Sequence, residues 1–292
     1  MTRRRSVLLA AVAGALAGLG AAFAVGRPIE RVVIAGGDLT EIAFALGAGD
    51  RVVGVDATST WPPEAGERPD IGYFRRLSAE GVLSLAPDML LAAPETGPQI
   101  ALEQIAAAGV EIRTAPDSPG AAGIAPKIRF VGAALGRAEA AGALAARVEA
   151  DLEEVRGKVA AIDGRPRVLF VLLLRGGAPV VGGEGTEAHE IIRLAGGENA
   201  AAGIEGYKPM TREAILAARP DAILMMESRA EAAGGIAAVL ARPDIALTPA
   251  GRAGQGIVLP GMLLLGFGPR TPEAMAALAR DLHPGAAAAA GL

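Results

Sequence analysis

The chain has 292 residues, 51% hydrophobic and 21% charged, with 40 glycines, no cysteine, 2 histidines, 2 tyrosines and 1 tryptophan. That length and apolar content suffice for a large core in one or two lobes and exclude a disordered chain. The missing cysteines exclude disulfide scaffolds, thiolate metal centres and cysteine nucleophiles, and a net charge of −4 argues against nucleic acid as a partner.

The chain starts with a basic segment, residues 2–5 (TRRR), followed by an uncharged Ala/Leu/Val-rich run over 6–24 that ends in Ala22-Phe23-Ala24. A positive n-region, an apolar h-region and an A-x-A site are the parts of a secretory signal peptide, here assigned to residues 1–24. The arginines ahead of the apolar run also partly match a twin-arginine signal. Removing the leader takes away three arginines and lowers the net charge to about −7. No later run is long and apolar enough to span a bilayer, so the mature chain is expected to be soluble rather than membrane-embedded.

Residues 31–35 (RVVIA) form a continuous apolar strand, 38–49 a helix stopped by glycine, and 51–56 (RVVGVD) a second strand. Further on, a short helical segment containing Glu80 runs into Pro87-Asp88 and then the apolar strand 89–93. The same order recurs in the second half. Strand 167–174 is followed by a glycine-stopped helix over 186–197, and a helix containing Glu213 runs into Pro220-Asp221 and strand 222–226. Each glutamate stands seven residues ahead of its proline. The repeat predicts two similar α/β lobes, residues 25–121 and 163–292. Between them, residues 122–162 have helical periodicity interrupted only by glycines after Pro126, and one helix of that length would reach about 60 Å. The Ala-rich end, 284–292, is expected to fray.

In a two-lobed α/β chain the ligand belongs in the cleft, on loops at strand ends. The strongest candidate loop is 69–81 (PDIGYFRRLSAEG), which carries Tyr73 and Arg75. A phenolate is a hard anionic donor suited to ferric iron, and a guanidinium two residues away favours the anion. The second lobe offers the Gly-rich run 181–189 (VGGEGTEAH), with Thr186 as a helix N-cap and His189 in the first turn. It also offers Gly206-Tyr207-Lys208-Pro209 (206–209), read as a cleft loop in which Lys208 pairs with an acidic ligand group and Tyr207 stacks on or hydrogen-bonds the ligand, with plain loop packing as the alternative. Trp61 lies at the rim or packs internally, and His283 is expected at the surface.

Two α/β lobes, a long connecting helix, an export signal and no catalytic constellation resemble the substrate-binding proteins of ABC importers. The specific class has a helical backbone and serves vitamin B12, siderophores, haem and some metals. The run 72–81, Gly-Tyr-x-Arg one residue ahead of Leu-Ser-x-Glu-Gly, resembles the haem-binding branch. The resemblance implies haem b as transported ligand, Tyr73 as axial iron ligand and Arg75 as its partner. It also implies His189 as a ligand for a second haem, and a periplasmic, monomeric, non-enzymatic carrier. One acidic residue per lobe, Glu80 and Glu213, would dock onto arginines of the membrane permease. A vitamin B12 or ferric-siderophore carrier is the alternative within the class; a haem-degrading enzyme is the alternative outside it.

Overall fold

The computed structural model describes residues 29–174 and 177–292; the leader expected over 1–24 lies outside them. In the first lobe, β1 (Val32–Ala35) leads into α1 (Gly37–Ala45) and β2 (Val52–Val55). Then α2 (Ala79–Leu83), β3 (Met89–Ala92), α3 (Gln99–Ala107) and β4 (Glu111–Thr114) complete a parallel sheet of order β2-β1-β3-β4. The two central strands, VVIA and MLLA, are buried along their whole length. Such unbroken apolar runs are what a parallel sheet covered on both faces requires.

The connection consists of α4 (Ile124–Ala134) and α5 (Ala138–Ala160). The single 60 Å helix expected over 122–162 is therefore divided, leaving α5 with 23 residues, about 35 Å long. Gly136 supplies the reason. It takes φ +64 after the last turn of α4, its N–H donates to the Ala133 carbonyl, and the Arg137 N–H donates back to Gly132. That is a glycine-dependent helix stop. Gly132 then allows α5 to fold back along α4, since a Cβ there would lie 2.2 Å from the Cβ of Ala141. α4 packs on α1 of the first lobe and α5 on a helix of the second.

The second lobe contains β5 (Arg167–Leu173), β6 (Val180–Gly182), α6 (Glu187–Leu194), β7 (Glu198–Asn199) and β8 (Tyr207–Pro209). α7 (Arg212–Ala218), β9 (Ala222–Met226), α8 (Glu227–Ala232), α9 (Ile236–Leu240), α10 (Pro249–Ala253) and β10 (Gly256–Leu259) follow, and α11 (Gly261–Leu265), α12 (Thr271–Leu282) and α13 (Pro284–Ala289) close the chain. Its sheet has the order β10-β9-β5-β6-β8, with β7 also beside β5. β7, β9 and β10 run parallel, whereas β6 and β8 are antiparallel additions. Residues 207–209, expected as loop, are thus an edge strand.

The repeat has a structural cause at its Pro-Asp steps. Asp88 accepts the Arg31 backbone N–H at 3.0 Å, and Arg31 donates its side chain to the Ala86 and Leu85 carbonyls. Asp221 accepts the Arg167 N–H at 2.9 Å, and Arg167 donates to the Ala218 carbonyl. The residues before the two prolines, Ala86 and Arg219, share a left-handed conformation at φ 45 and 47. Each lobe therefore ties the end of one helix to the start of its first strand by the same clamp. One continuous apolar cluster runs from β1 and α1 through α4 and α5 to β5, α6 and α12, so the lobes share core as well as chain.

His283 is a correction. It lies at the junction of α12 and α13 with only 9% of its surface exposed, not at the surface, against Gly196. The α12–α13 turn holds it inward, and the Ala-rich end, expected to fray, is the helix α13, packed on α12 with Ala287 buried. Among the described residues no helix is long and apolar enough to cross a membrane.

Candidate ligand cleft

The loop carrying Tyr73 is held at both ends by burial and along its length by backbone bonds. Ile71 and Leu77 are core residues. The Ile71 and Ala57 N–H groups donate to Val55 and Gly72, tying the loop to the end of β2. Leu77 N–H to Gly97 and Gly97 N–H to Phe74 tie it to the segment after β3. Tyr73 stands between these anchors, half-buried, with the Phe74 ring edge-on at 4.9 Å and the Arg76 guanidinium 5.9 Å from its ring centre.

Arg75 pairs with Glu95 at 3.3 Å rather than with the Tyr73 hydroxyl. Burial works against the charged guanidinium, but Glu95, with Tyr73 and Glu187 behind it, outweighs burial and raises its pKa. Glu187, the smallest of these influences, opens α6 in the other lobe. Glu95 was not anticipated from sequence. Its place just beyond the C-terminal end of β3 was the available signal, since ligand-facing side chains collect there in α/β sheets.

On the opposite wall, Thr186 caps α6 by accepting the His189 N–H at 3.1 Å and donates its own hydroxyl to Gly183. Tyr207 projects from β8 toward α6 and donates its hydroxyl to Glu187 Oε2 at 3.0 Å, while its ring packs 6.4 Å from that of Phe170. Burial, reinforced by the Glu187 carboxylate, raises the Tyr207 phenol well above its ordinary pKa. Tyr207 is thereby fixed as a neutral donor and is unsuited to bind a metal as phenolate. Lys208, the next residue, is exposed. His189 is half-buried, its Nδ1 3.3 Å from the Asn199 amide nitrogen. Neither Glu187 nor Asn199 was singled out from sequence; Asn199, on the two-residue strand β7, carries no local signal at all.

Glu80 and Glu213 occupy matching places in the first turns of α2 and α7, behind the N-caps Ser78 and Thr211, and both are exposed. Hydrogen bonding from its own backbone N–H, then from Thr211, holds the Glu213 carboxyl below its ordinary pKa. Trp61 is 42% exposed and lies under the Arg270 guanidinium, 4.3 Å from its ring centre. It borders a cavity of about 680 Å³ formed with Glu41, Arg68, Arg147 and Asp151, which neither Tyr73 nor Tyr207 lines. Among the described residues there is no group of three or more His, Asp or Glu able to hold a bare metal ion.

Two solved structures share this architecture. A periplasmic heme-binding protein from Roseiflexus sp. RS-1, in apo form, is 44% identical with TM-score 0.85, covering 89% of this chain and 99% of that one. The periplasmic heme-binding protein BhuT in complex with two hemes is 44% identical with TM-score 0.83, covering 88% and 98%. Among curated relatives, an uncharacterized ABC transporter substrate-binding lipoprotein of Bacillus subtilis is 31% identical over 63% of this chain, and the match spans 60% of the relative's own length. A cobalamin-binding protein of Halobacterium salinarum is 28% identical over 87% of this chain and 69% of its own. A periplasmic binding protein family model matches residues 32–263, and the chain belongs to that family.

Proposed function

We propose that the chain binds haem between its two lobes and delivers it to an inner-membrane ABC importer. The observation that carries this reading is the contrast between the two tyrosines. Tyr73 is half-exposed between the loop's arginines with its hydroxyl uncommitted, whereas Tyr207 is locked as a neutral donor to Glu187. A tyrosine oxygen not committed inside the protein is a donor that ferric haem iron accepts. The two haem-binding structures at 44% identity support the same cargo.

In this reading Tyr73 takes the iron and the Arg75–Glu95 pair orients it. Tyr207, backed by the buried Phe170, forms part of the opposite wall, and Lys208 faces a propionate. No bond of the cargo is made or broken, so the chain is a carrier and not an enzyme. It works as a monomer in the periplasm after export through the leader at 1–24. Glu80 and Glu213, exposed at equivalent helix starts, dock onto permease arginines.

Absorption titration with hemin tests the cargo. A saturable Soret band is expected for the wild type, and Tyr73→Ala should lose it. The cobalamin-binding relative favours a second reading; saturable cobalamin binding with no hemin saturation would establish it. Docking is tested by stimulation of the permease ATPase in vesicles. Glu80→Ala and Glu213→Ala should each weaken stimulation, by about tenfold as for loss of a charge-assisted contact, with hemin titration unchanged.

A further inference from the structure

The Asn199 side chain is buried, with 2% exposure, and its orientation is fixed by the backbone. Its Oδ1 accepts the Ala201 N–H at 3.0 Å and its Nδ2 donates to the Gly182 carbonyl at 2.9 Å. Turning the amide over would set oxygen against oxygen and N–H against N–H, so the two ends cannot exchange. The second hydrogen of Nδ2 then points to the one remaining neighbour, His189 Nδ1, at 3.3 Å. A buried amide N–H left without an acceptor costs about 1–3 kcal/mol. Neutral imidazole meets that demand only when Nδ1 is bare and the proton sits on Nε2. Nε2 makes no hydrogen bond within the described residues and is not enclosed, so it reaches solvent.

We infer that Asn199 is a positioning residue that holds His189 as an Nε2–H donor, so that His189 reads a carboxylate on the cargo instead of ligating iron. Iron ligation through Nε2 needs the opposite tautomer, with its proton on Nδ1 facing the Asn199 N–H. Ligation through Nδ1 is blocked by the same amide. The backbone that carries the ring is itself held, because the His189 N–H donates to Thr186. Only the identity of the acceptor, a haem propionate, rests on the haem reading; the tautomer stands on Asn199 alone.

Labelled histidine gives two imidazoles, those of His189 and His283, and His189→Gln assigns them. Long-range proton–nitrogen correlation spectra of the ligand-free protein are recorded at about pH 8, above the ordinary imidazole pKa. They should show the His189 proton on Nε2; a proton on Nδ1 overturns the inference. Asn199→Asp, whose carboxylate accepts instead of donating, should move the proton to Nδ1.

In hemin titrations His189→Gln, which keeps an N–H near the Nε2 position but offers no iron ligand, should bind within about threefold of wild type. His189→Leu should bind about tenfold more weakly. The Soret band and ferric electron-resonance spectrum should be the same in all three proteins. Equal weakening by Gln and Leu, with loss of an iron–histidine signal, would overturn the donor role. Absence of hemin binding by the wild type would instead remove the haem reading, and the spectra of the free protein would still decide the tautomer.

Discussion

Each lobe carries a Gly-Tyr step ahead of its repeated helix, and the two tyrosines have opposite surroundings. Tyr73 sits on a loop strapped to β2 and to the segment after β3, flanked by Arg75 and Arg76. Tyr207 sits on a strand, turned inward onto Phe170 and bonded to Glu187. The duplicated framework supplies the position, and neighbouring charge decides the chemistry. Arginines flank the half-exposed Tyr73, whereas burial beside a carboxylate keeps Tyr207 a neutral donor.

The largest effect that breaks this comparison is expected from removing one hydroxyl at a time. Tyr73→Phe keeps the ring that packs on Phe74 and loses the oxygen. Hemin affinity should fall by at least about a hundredfold, since even outer-shell partners of a metal ligand are worth 10–100-fold. Tyr207→Phe should leave the Soret spectrum unchanged and shift affinity by no more than about threefold. Equal losses in the two variants, measured by absorption titration, would mean that the lobes are not divided into ligand and wall.

Much of this was legible in the sequence because it depends on local pattern. The buried strands were visible as unbroken apolar runs, and the Pro-Asp steps marked two equivalent helix-to-strand turns. What escaped was long-range. Gly136 could be seen interrupting a helical run, but the fold-back of α5 on α4 depends on Gly132 meeting Ala141. Residues 206–209 resemble a loop by composition, yet β6 recruits 207–209 as an edge strand. The short tail after His283 looks frayed until α13 is seen packed on α12 with Ala287 buried. Around the proposed site, Tyr73 and Arg75 stand out only through the resemblance of the run 72–81 to the haem-binding branch. Glu95, Glu187 and Asn199 enter only through the sheet that brings strand ends together.

The lobes differ again at a buried polar residue on or just after a strand that pairs with the first strand of each lobe. Asp56 follows β2 and accepts from Gly36, Thr58 and Ser59, all donors. Asn199 ends β7 and must also donate, to Gly182 and His189. An acid suits the first surroundings and an amide the second. Asp56→Asn would turn an N–H₂ against the Thr58 N–H and should cost about 1–3 kcal/mol in urea unfolding. Burial raises the Asp56 carboxyl despite hydrogen bonds from Thr58, Ser59 and Gly36 that lower it. The folded protein thus holds this proton at a pH where the unfolded chain has released it. The contribution of Asp56 to stability is therefore fullest below the ordinary value of about 3.9 and declines as pH rises through the folded value. The stability gap between wild type and Asp56→Asn should widen as pH falls from neutrality toward about 4; a narrowing gap would show that hydrogen bonding, not burial, governs the group.

The smallest effect concerns what the lobes have in common. If the clamps at Asp88 and Asp221 are the same device, Asp88→Ala and Asp221→Ala should destabilise by similar amounts. About 1 kcal/mol each is the expectation for hydrogen bonds to strand-start amides near the surface. They lie in separate lobes and share no partner, so the double variant should equal the sum within about 0.5 kcal/mol. The shared apolar cluster sharpens the test. Because it joins both lobes through α4 and α5, unfolding should stay a single transition even when only one clamp is cut. Two resolved transitions in Asp88→Ala would show that the first lobe opens by itself, and that the common core is too weak to couple the two halves.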